Sequence, residues 1–148
     1  MTAAPVDDSA QRPPPPGFVR VPPTSPFARE VGPFYERIDA DGFTRAFWLS
    51  DKHGNVMGFA HGGVIMSFAD MLLARALTHG LQRNGVTVRM VVEFLAPAKP
   101  GEWLEGRARV TRAGKTLAFV EGEGGVRGRA VFTAAGTFRL TGEAGLTR

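Results

Sequence analysis

The sequence predicts an α+β fold in which one long central helix is wrapped by a curved antiparallel β-sheet. Two observations lead to this prediction. An apolar segment of helical length lies in the middle of the chain, at residues 62–80. Four segments rich in β-branched residues follow it, separated by short glycine- or proline-containing connections, which favour antiparallel pairing.

The central segment, HGGVIMSFADMLLARALTHG, is apolar on every side when it is drawn as a helix. A helix with this pattern is buried all round, and a single sheet can cover it in this way only by curling round it. We expect the helix to begin at Gly62 or Gly63, to run to about His79, and to be ended by Gly80.

Shorter elements flank the central helix. The segment TSPFAREVG predicts a short helix capped by Thr24 or Ser25, with Pro26 in its first turn. The segment PFYERIDADGFTRAFWLS predicts two strands around an ADG turn, and a glycine-rich loop then leads into the central helix. The four strands after the helix are predicted at residues 86–97, 102–114, 115–125 and 127–140.

The chain has 148 residues, enough for one domain with one core. Eight of its eleven prolines lie in the first 26 residues, and four of them are consecutive, from Pro13 to Pro16. Such a segment forms neither helix nor sheet. We therefore expect residues 1–23 to be a disordered proline-rich tail and residues 24–148 to be the single folded domain.

Composition and charge exclude several classes of protein. Without cysteines, disulfides and thiolate metal sites are not available, and a cytoplasmic location fits. The N-terminus lacks the apolar core of a signal peptide, and no apolar run is long enough to span a bilayer. The net charge of +4 comes from scattered basic residues, so we expect no nucleic-acid partner. The histidines lack metal-ligand spacing, so we expect no metal; we expect His53 to be solvated and His79 to help end the helix.

Asp70 is the only ionisable side chain in the first three turns of the predicted helix. Burying an unpaired carboxylate is costly, and Arg75 is not an obvious partner. Asp70 therefore either faces a cleft or binds a backbone amide, or it acts as a general base or nucleophile. At the start of the helix, His61, Gly62 and Gly63 leave backbone N–H groups open to an anion or a carbonyl oxygen, as in an oxyanion hole.

Residues 55–70, NVMGFAHGGVIMSFAD, resemble the signature of hotdog-fold acyl-CoA thioesterases of the phenylacetate-degradation and 4-hydroxybenzoyl-CoA thioesterase-like group. Asn, Gly and His-Gly-Gly stand at three-residue steps, and Asp follows seven positions beyond the last Gly. The resemblance covers residues 34–140 and includes the later segment RAGKTL. It implies the hotdog fold, hydrolysis of an acyl-CoA thioester without a cofactor, and a homodimer that is often part of a homotetramer.

The resemblance also implies roles for individual residues. The Gly62 N–H would bind the thioester carbonyl, Asp70 would act as base or nucleophile, and Thr87 would help to orient water. Two more residues would assist catalysis: His61 would position the thioester or its loop, and Asn55 would hold the carbonyl or the attacking water. Further residues would bind substrate in the acyl channel or at the CoA portion, namely Gly63, Phe94, Arg112, Gly114, Lys115 and Thr116.

The spacing within the helix adds an independent constraint. Gly62 and Asp70 are eight residues apart, which is about 12 Å along a helix axis. Because reacting groups must lie within about 3.5 Å of each other, these two cannot act on one carbonyl within one chain. Either they do not cooperate, or each site takes Gly62 from one subunit and Asp70 from another, as a two-fold dimer allows.

Two other functions remain compatible with the fold. The main alternative is a non-catalytic acyl-CoA-binding module or ligand sensor, although binding alone does not require a base such as Asp70. A hotdog dehydratase or hydratase would pair a catalytic histidine with a carboxylate in a different motif, which is absent from the sequence. The basic residues of the turn, Arg112 and Lys115, are either solvated or in contact with the nucleotide phosphates of CoA.

Overall fold

The computed structural model of the chain describes residues 11–143. In chain order, its elements are β1 (Val19–Arg20), α1 (Pro26–Val31), β2 (Tyr35–Asp39), β3 (Gly42–Trp48), α2 (Gly62–Gly80), β4 (Arg83–Phe94), β5 (Trp103–Ala113), β6 (Leu117–Val126) and β7 (Arg129–Glu143). A short 3-10 turn, Asp51–His53, precedes α2. Within the described residues, no helix is long and apolar enough to cross a membrane.

The strands form one antiparallel sheet in the order β1-β2-β3-β5-β6-β7-β4. Helix α2 packs against β4, β5, β6 and β7, and the side chains between them form the main hydrophobic core. The predicted α+β class, with one long helix wrapped by a curved antiparallel sheet, is confirmed.

Glycines in the sheet allow α2 to approach it closely. A Cβ at Gly106 would lie 2.7 Å from Leu72 Cδ2, and a Cβ at Gly136 would lie 2.9 Å from Leu73 Cδ1. Real side chains do not tolerate such contacts, so a larger residue at either position would push the helix away from the sheet. These two glycines therefore determine how closely α2 and its side chains pack against the sheet.

The shorter elements follow from local sequence signals. The Ser25 hydroxyl caps α1 by accepting a hydrogen bond of 3.1 Å from the Ala28 N–H, and Pro26 occupies the first helical position, as predicted. The β6–β7 hairpin turns at Arg127 and Gly128, with φ angles of 50° and 78°. Two consecutive left-handed residues are typical of the tight turns that match the twist of paired strands.

Helix α2 is buried on one side only, which differs from the expectation that the sheet covers it all round. The side chains that face the sheet are in the core, namely Ile65, Phe68, Ala69, Leu72, Leu73, Ala76 and Leu77. At the edge of this buried face Met66 is 42% exposed, and Asp70, one turn further on, is only partly buried. One chain therefore leaves an uncovered strip along the helix, and Asp70 lies on that strip.

The ordered domain begins earlier than the predicted boundary at residue 24. Strand β1 pairs with β2, and Phe18 joins a second, smaller hydrophobic cluster. Upstream, the Pro13 carbonyl accepts a hydrogen bond of 3.2 Å from Trp48 Nε1, and the Arg12 guanidinium lies 3.5 Å from the centre of the Trp48 ring. Part of the proline-rich segment thus packs on aromatic side chains of the domain. Residues 1–10 of the predicted tail lie outside the described residues.

Candidate active site

Asp70 and Thr87 meet on the uncovered side of α2. Thr87 Oγ1 donates a hydrogen bond of 2.6 Å to Asp70 Oδ1. This distance is typical of a short hydrogen bond from a hydroxyl to a charged oxygen. Asp70 therefore has a hydroxyl partner on strand β4 and is partly accessible to solvent, as a carboxylate that faces a cleft would be.

The N-terminus of α2 carries an open backbone donor. His61 is the N-cap residue, and its Nδ1 accepts a hydrogen bond of 2.9 Å from the Gly63 N–H. The N–H groups of Val64 and Ile65 donate to the His61 carbonyl. Between residues 11 and 143 the Gly62 N–H has no acceptor, and it lies at the positive end of the helix dipole. His61 thus holds the first turn in place and leaves the Gly62 N–H for a ligand.

Asn55 shapes the loop that leads into α2. Its side-chain Oδ1 accepts hydrogen bonds of 2.9 Å from the Met57 N–H and 3.1 Å from the Phe59 N–H. The Asn55 N–H donates to the Phe59 carbonyl at 2.7 Å. With its oxygen occupied in this way, the Asn55 side chain can offer a ligand its Nδ2 donor, which suits a carbonyl oxygen or a water.

Phe94 lies beside the open donor. A Cβ placed on Gly62 would be 3.5 Å from Phe94 Cζ, and the phenylalanine is 54% exposed. The ring therefore provides an apolar wall next to the Gly62 N–H. This arrangement suits the predicted position of Phe94 along a channel for the acyl group or for pantetheine.

The predicted CoA-binding turn lies beyond the other end of α2. Gly80, the last residue of the helix, is close to Val110, because a Cβ on Gly80 would be 3.8 Å from Val110 Cγ2. The strand continues past Val110 to the turn. Every predicted binding residue of the turn is exposed, namely Arg112, Gly114, Lys115 and Thr116. Neither basic side chain of the turn forms an ion pair with another described residue.

Within one chain, the predicted site residues therefore lie in three separate groups. The first surrounds the Gly62 N–H, the second is the Asp70–Thr87 pair, and the third is the exposed turn. Because α2 is continuous from Gly62 to Gly80, the first two groups are about 12 Å apart along its axis. Among residues 11–143, no three histidine, aspartate or glutamate side chains come together in a group that could hold a metal ion.

The prediction that His53 is solvated is wrong, because the residue is only 5% exposed. Its Nδ1 accepts a hydrogen bond of 2.9 Å from the Ser50 N–H, so the neutral ring carries its proton on Nε2, which lies 2.8 Å from the Val31 carbonyl. The His53 carbonyl in turn accepts a 2.7 Å hydrogen bond from the His61 N–H. His53 is thus a buried support for the start of α2.

An ion network beside α2 was not predicted. The Glu36 carboxylate lies 2.8 Å from Arg45 Nη2 and 2.7 Å from Arg75 Nη2. Burial alone would raise the pKa of Glu36, but the hydrogen bonds and charges of Arg75 and Arg45 outweigh it and lower the pKa below its ordinary value. Burial lowers the pKa of Arg45, although the charge of Glu36 opposes this effect.

A signal for part of this network was present in the sequence. Counting outward from the predicted three-residue ADG turn places Glu36 opposite Ala46, next to Arg45; in the structure Gly42 belongs to β3 and pairs with Asp39, which shifts the register by one and puts Glu36 directly opposite Arg45. Arg75 could not be found in this way, because it reaches Glu36 from a different element, 39 positions along the chain. The network fixes β2 and β3 to the C-terminal half of α2.

The fold and the site together define a class of protein. A curved antiparallel sheet around one long helix is the hotdog fold, and α2 carries both an open N–H and a carboxylate, two groups that suit acyl-transfer hydrolysis. The sequence model of the thioesterase superfamily matches residues 57–131, which include both groups. The chain belongs to the thioesterase superfamily and is a thioester hydrolase.

Individual relatives agree with this membership. A Pseudomonas aeruginosa protein provisionally named an esterase is 34% identical over 129 residues, which are 85% of this chain and 96% of that protein. The human protein acyl-coenzyme A thioesterase 13 is 37% identical over 73 residues, which are 48% of this chain and 51% of the human protein.

Solved structures are similar as well. A Ralstonia eutropha phenylacetic acid degradation-related protein is 28% identical, with a TM-score of 0.70 over 81% of this chain and 92% of that one. A Streptococcus mutans protein solved with bound acetyl-CoA is 26% identical, with a TM-score of 0.63 over 68% of this chain and 82% of that one. The predicted resemblance to thioesterases of the phenylacetate-degradation type is confirmed.

Proposed function

We propose that the protein hydrolyses acyl-CoA thioesters to free CoA and a carboxylic acid. The names of two relatives support CoA as the thiol, since the human relative is named an acyl-coenzyme A thioesterase and the Streptococcus mutans structure holds acetyl-CoA. In this chain, the observation that carries the proposal is the Asp70 carboxylate, held at 2.6 Å by the Thr87 hydroxyl on the uncovered side of α2.

The open donor and the carboxylate have complementary tasks in this reaction. The Gly62 N–H would donate to the thioester carbonyl oxygen and stabilise the negative charge that develops there. Asp70 would supply the basic or nucleophilic oxygen. In either role, the Thr87 hydroxyl would hold the carboxylate in one orientation, and the Asn55 Nδ2 would help to hold the carbonyl or the water.

Two routes are open to Asp70. As a general base, it would take a proton from water while the water oxygen bonds to the thioester carbon; the carbon–sulfur bond then breaks and CoA leaves. As a nucleophile, the carboxylate would itself bond to that carbon and release CoA, and water would then hydrolyse the resulting anhydride. Both routes consume one water and yield the same products.

The separation of about 12 Å between Gly62 and Asp70 supports a site shared between two subunits. One subunit would supply Gly62 with Asn55 and His61, and its partner would supply Asp70 with Thr87. A two-fold dimer contains two such sites, because each subunit gives both half-sites to the interface.

Strand β4 is suited to form this interface. It is 12 residues long and lies at the edge of the sheet, so its free backbone groups can pair with a second copy. Several exposed apolar side chains lie along it, namely Val86, Val88, Val91 and Phe94. The same strand carries Thr87, so pairing along β4 would bring the two half-sites together in a homodimer, and two such dimers would form the expected homotetramer.

The exposed turn between β5 and β6 would bind the CoA portion of the substrate. The basic side chains of Arg112 and Lys115 can meet nucleotide phosphates, because no other described residue pairs with their charges. The backbone of Gly114 and Thr116 would shape the same contact, and Gly63 would allow close approach at the helix N-terminus.

A thiol-release assay tests the proposal directly. Wild-type protein should release CoA from at least one of a panel of short-, medium- and long-chain and aromatic acyl-CoAs. Asp70→Asn should lower kcat by a factor of about 10² to 10⁴, the usual contribution of a general base. Glu93→Gln is the matched control, because Glu93 also accepts a hydrogen bond from a strand threonine, Thr133, at 3.2 Å. Binding without release of CoA from any substrate would favour the acyl-CoA-binding module instead.

A further inference from the structure

A cavity of about 410 Å³ lies beside the C-terminal half of α2. Its basic lining comes from five different parts of the chain, with Arg20 on β1, Arg29 on α1, Arg45 on β3, Lys52 before the helix and Arg75 on α2. No aspartate or glutamate lines it within the described residues. The volume falls within the usual range for sites that bind small molecules.

The Glu36 carboxylate, which does not line the cavity, balances part of this charge. Glu36 binds both Arg45 and Arg75, so this trio retains one net positive charge. Arg20 and Arg29 form no ion pair with any residue in the range 11–143. The cavity therefore has a surplus of positive charge that is partly shielded from water, which favours an anionic occupant.

The rest of the lining is apolar. It includes Val21 from the segment after β1, Phe34 before β2, and Met71 and Ala74 on α2. A cavity with both apolar walls and guanidinium groups suits a ligand that joins an apolar part to a carboxylate or phosphate. A free inorganic anion would leave the apolar walls without a partner.

Two residues that line the cavity are neighbours of the candidate catalytic carboxylate on α2, although Asp70 itself does not line it. Met71 follows Asp70 directly, and Ala74 lies one helical turn beyond it, about 6 Å along the axis. A substrate with its thioester carbon at Asp70 would enter the cavity past Ala74 and extend toward Arg75 and Thr78, which also line it.

We propose that this cavity is a subsite for an anionic group of the substrate, either a terminal carboxylate on the acyl chain or a phosphate of CoA. The proposal rests on the proposed acyl-CoA hydrolysis. It extends that function by proposing that the cavity prefers a negatively charged group of the substrate. This cavity is distinct from the turn at residues 112–116.

The test removes two charges from the cavity. Arg20 and Arg29 are exposed and have no ion-pair partner in the described part of the chain, so the double variant Arg20→Gln/Arg29→Gln should fold normally. Arg127→Gln is the control, because Arg127 is an exposed arginine on the β6–β7 turn, outside the cavity. Adipoyl-CoA and hexanoyl-CoA differ only at the end of the acyl chain, and S-hexanoyl-pantetheine lacks the nucleotide phosphates.

The pattern of KM changes identifies the source of the anion. If the acyl carboxylate occupies the cavity, the double variant should raise KM about tenfold for adipoyl-CoA alone, with kcat unchanged. If a CoA phosphate occupies it, KM should rise for both CoA esters and not for the pantetheine ester. Effects no larger than those of Arg127→Gln on all three substrates would overturn the proposal.

Calorimetry separates this proposal from the proposed hydrolysis. Adipoyl-CoA, hexanoyl-CoA and CoA are titrated into the full chain carrying Asp70→Asn, with and without Arg20→Gln/Arg29→Gln, so that binding is measured with turnover suppressed. A tenfold weaker Kd in the double variant would support the anion subsite even if the wild type released no CoA. Equal Kd values for every ligand would overturn the subsite even if hydrolysis were normal.

Discussion

Replacing Thr87 with valine removes the hydroxyl that holds Asp70 and keeps the size and branching of the side chain. The lost hydrogen bond is 2.6 Å long and ends on a carboxylate. Hydrogen bonds to charged groups contribute about 1.5–3 kcal/mol, and the exposure of Thr87 places this one at the lower end. About 1.4 kcal/mol corresponds to a tenfold change in rate, so kcat/KM of Thr87→Val should fall about tenfold.

The assay is CoA release under initial-rate conditions, with folding checked by thermal unfolding. Thr133→Val is the matched control, because Thr133 also lies on a strand and donates to a carboxylate, that of Glu93. Its kcat/KM should equal that of the wild type, and Thr87→Ser, which restores a hydroxyl, should recover most of the lost activity. Wild-type activity in Thr87→Val, or an equal loss in Thr133→Val, would refute a positioning role for Thr87.

Three further predictions concern the helix N-terminus and the ion network. Gly62→Pro should fold, because proline is tolerated at the first helical position and His61 already has φ −62° and ψ 137°. It should lower kcat by a factor of about 10² to 10³ through loss of the N–H; in the same assay Gly62→Ala, which keeps the N–H, should lose far less. Glu36→Gln should lower the free energy of unfolding at pH 7 by about 3 kcal/mol, because it leaves Arg45 buried without its partner; an unchanged urea midpoint would contradict this. Since the pKa of Glu36 is lower in the folded chain, its stabilisation is complete above the unfolded value near 4.5 and is lost as the pH falls through the folded value. The difference in urea midpoint between wild type and Glu36→Gln should therefore shrink below about pH 4.5.

Local sequence signals predicted most of the fold. The apolar pattern of α2 and the glycine and proline boundaries of the strands are properties of short segments, so they can be found without knowledge of tertiary contacts. The same pattern overestimated the burial of α2. An apolar side chain such as Met66 is stabilised by burial, but the apolar pattern is the same whether the residues that bury it belong to the same chain or to a second subunit.

The residues of the candidate site could be predicted from the sequence, but the contacts between them could not. The resemblance suggested both Asp70 and Thr87, yet their hydrogen bond joins a helix to an edge strand and depends on how these elements pack. His53 was misjudged for the same reason, since its Nε2 lies 2.8 Å from the Val31 carbonyl of α1, 22 positions earlier in the chain. Proline content alone likewise did not indicate that residues near Pro13 pack on Trp48.

The central claim is that each active site combines Gly62 of one subunit with Asp70 of another, and subunit mixing tests it most directly. Asp70→Ala and Gly62→Pro subunits, each inactive alone, carry different affinity tags, are unfolded together, refolded at equal amounts and checked for mixed dimers by tandem purification. A mixed dimer would contain one site with both defects and one intact site, so the unpurified mixture should recover about a quarter of wild-type activity. Mixed dimers that form and remain as inactive as their parents would contradict the shared site.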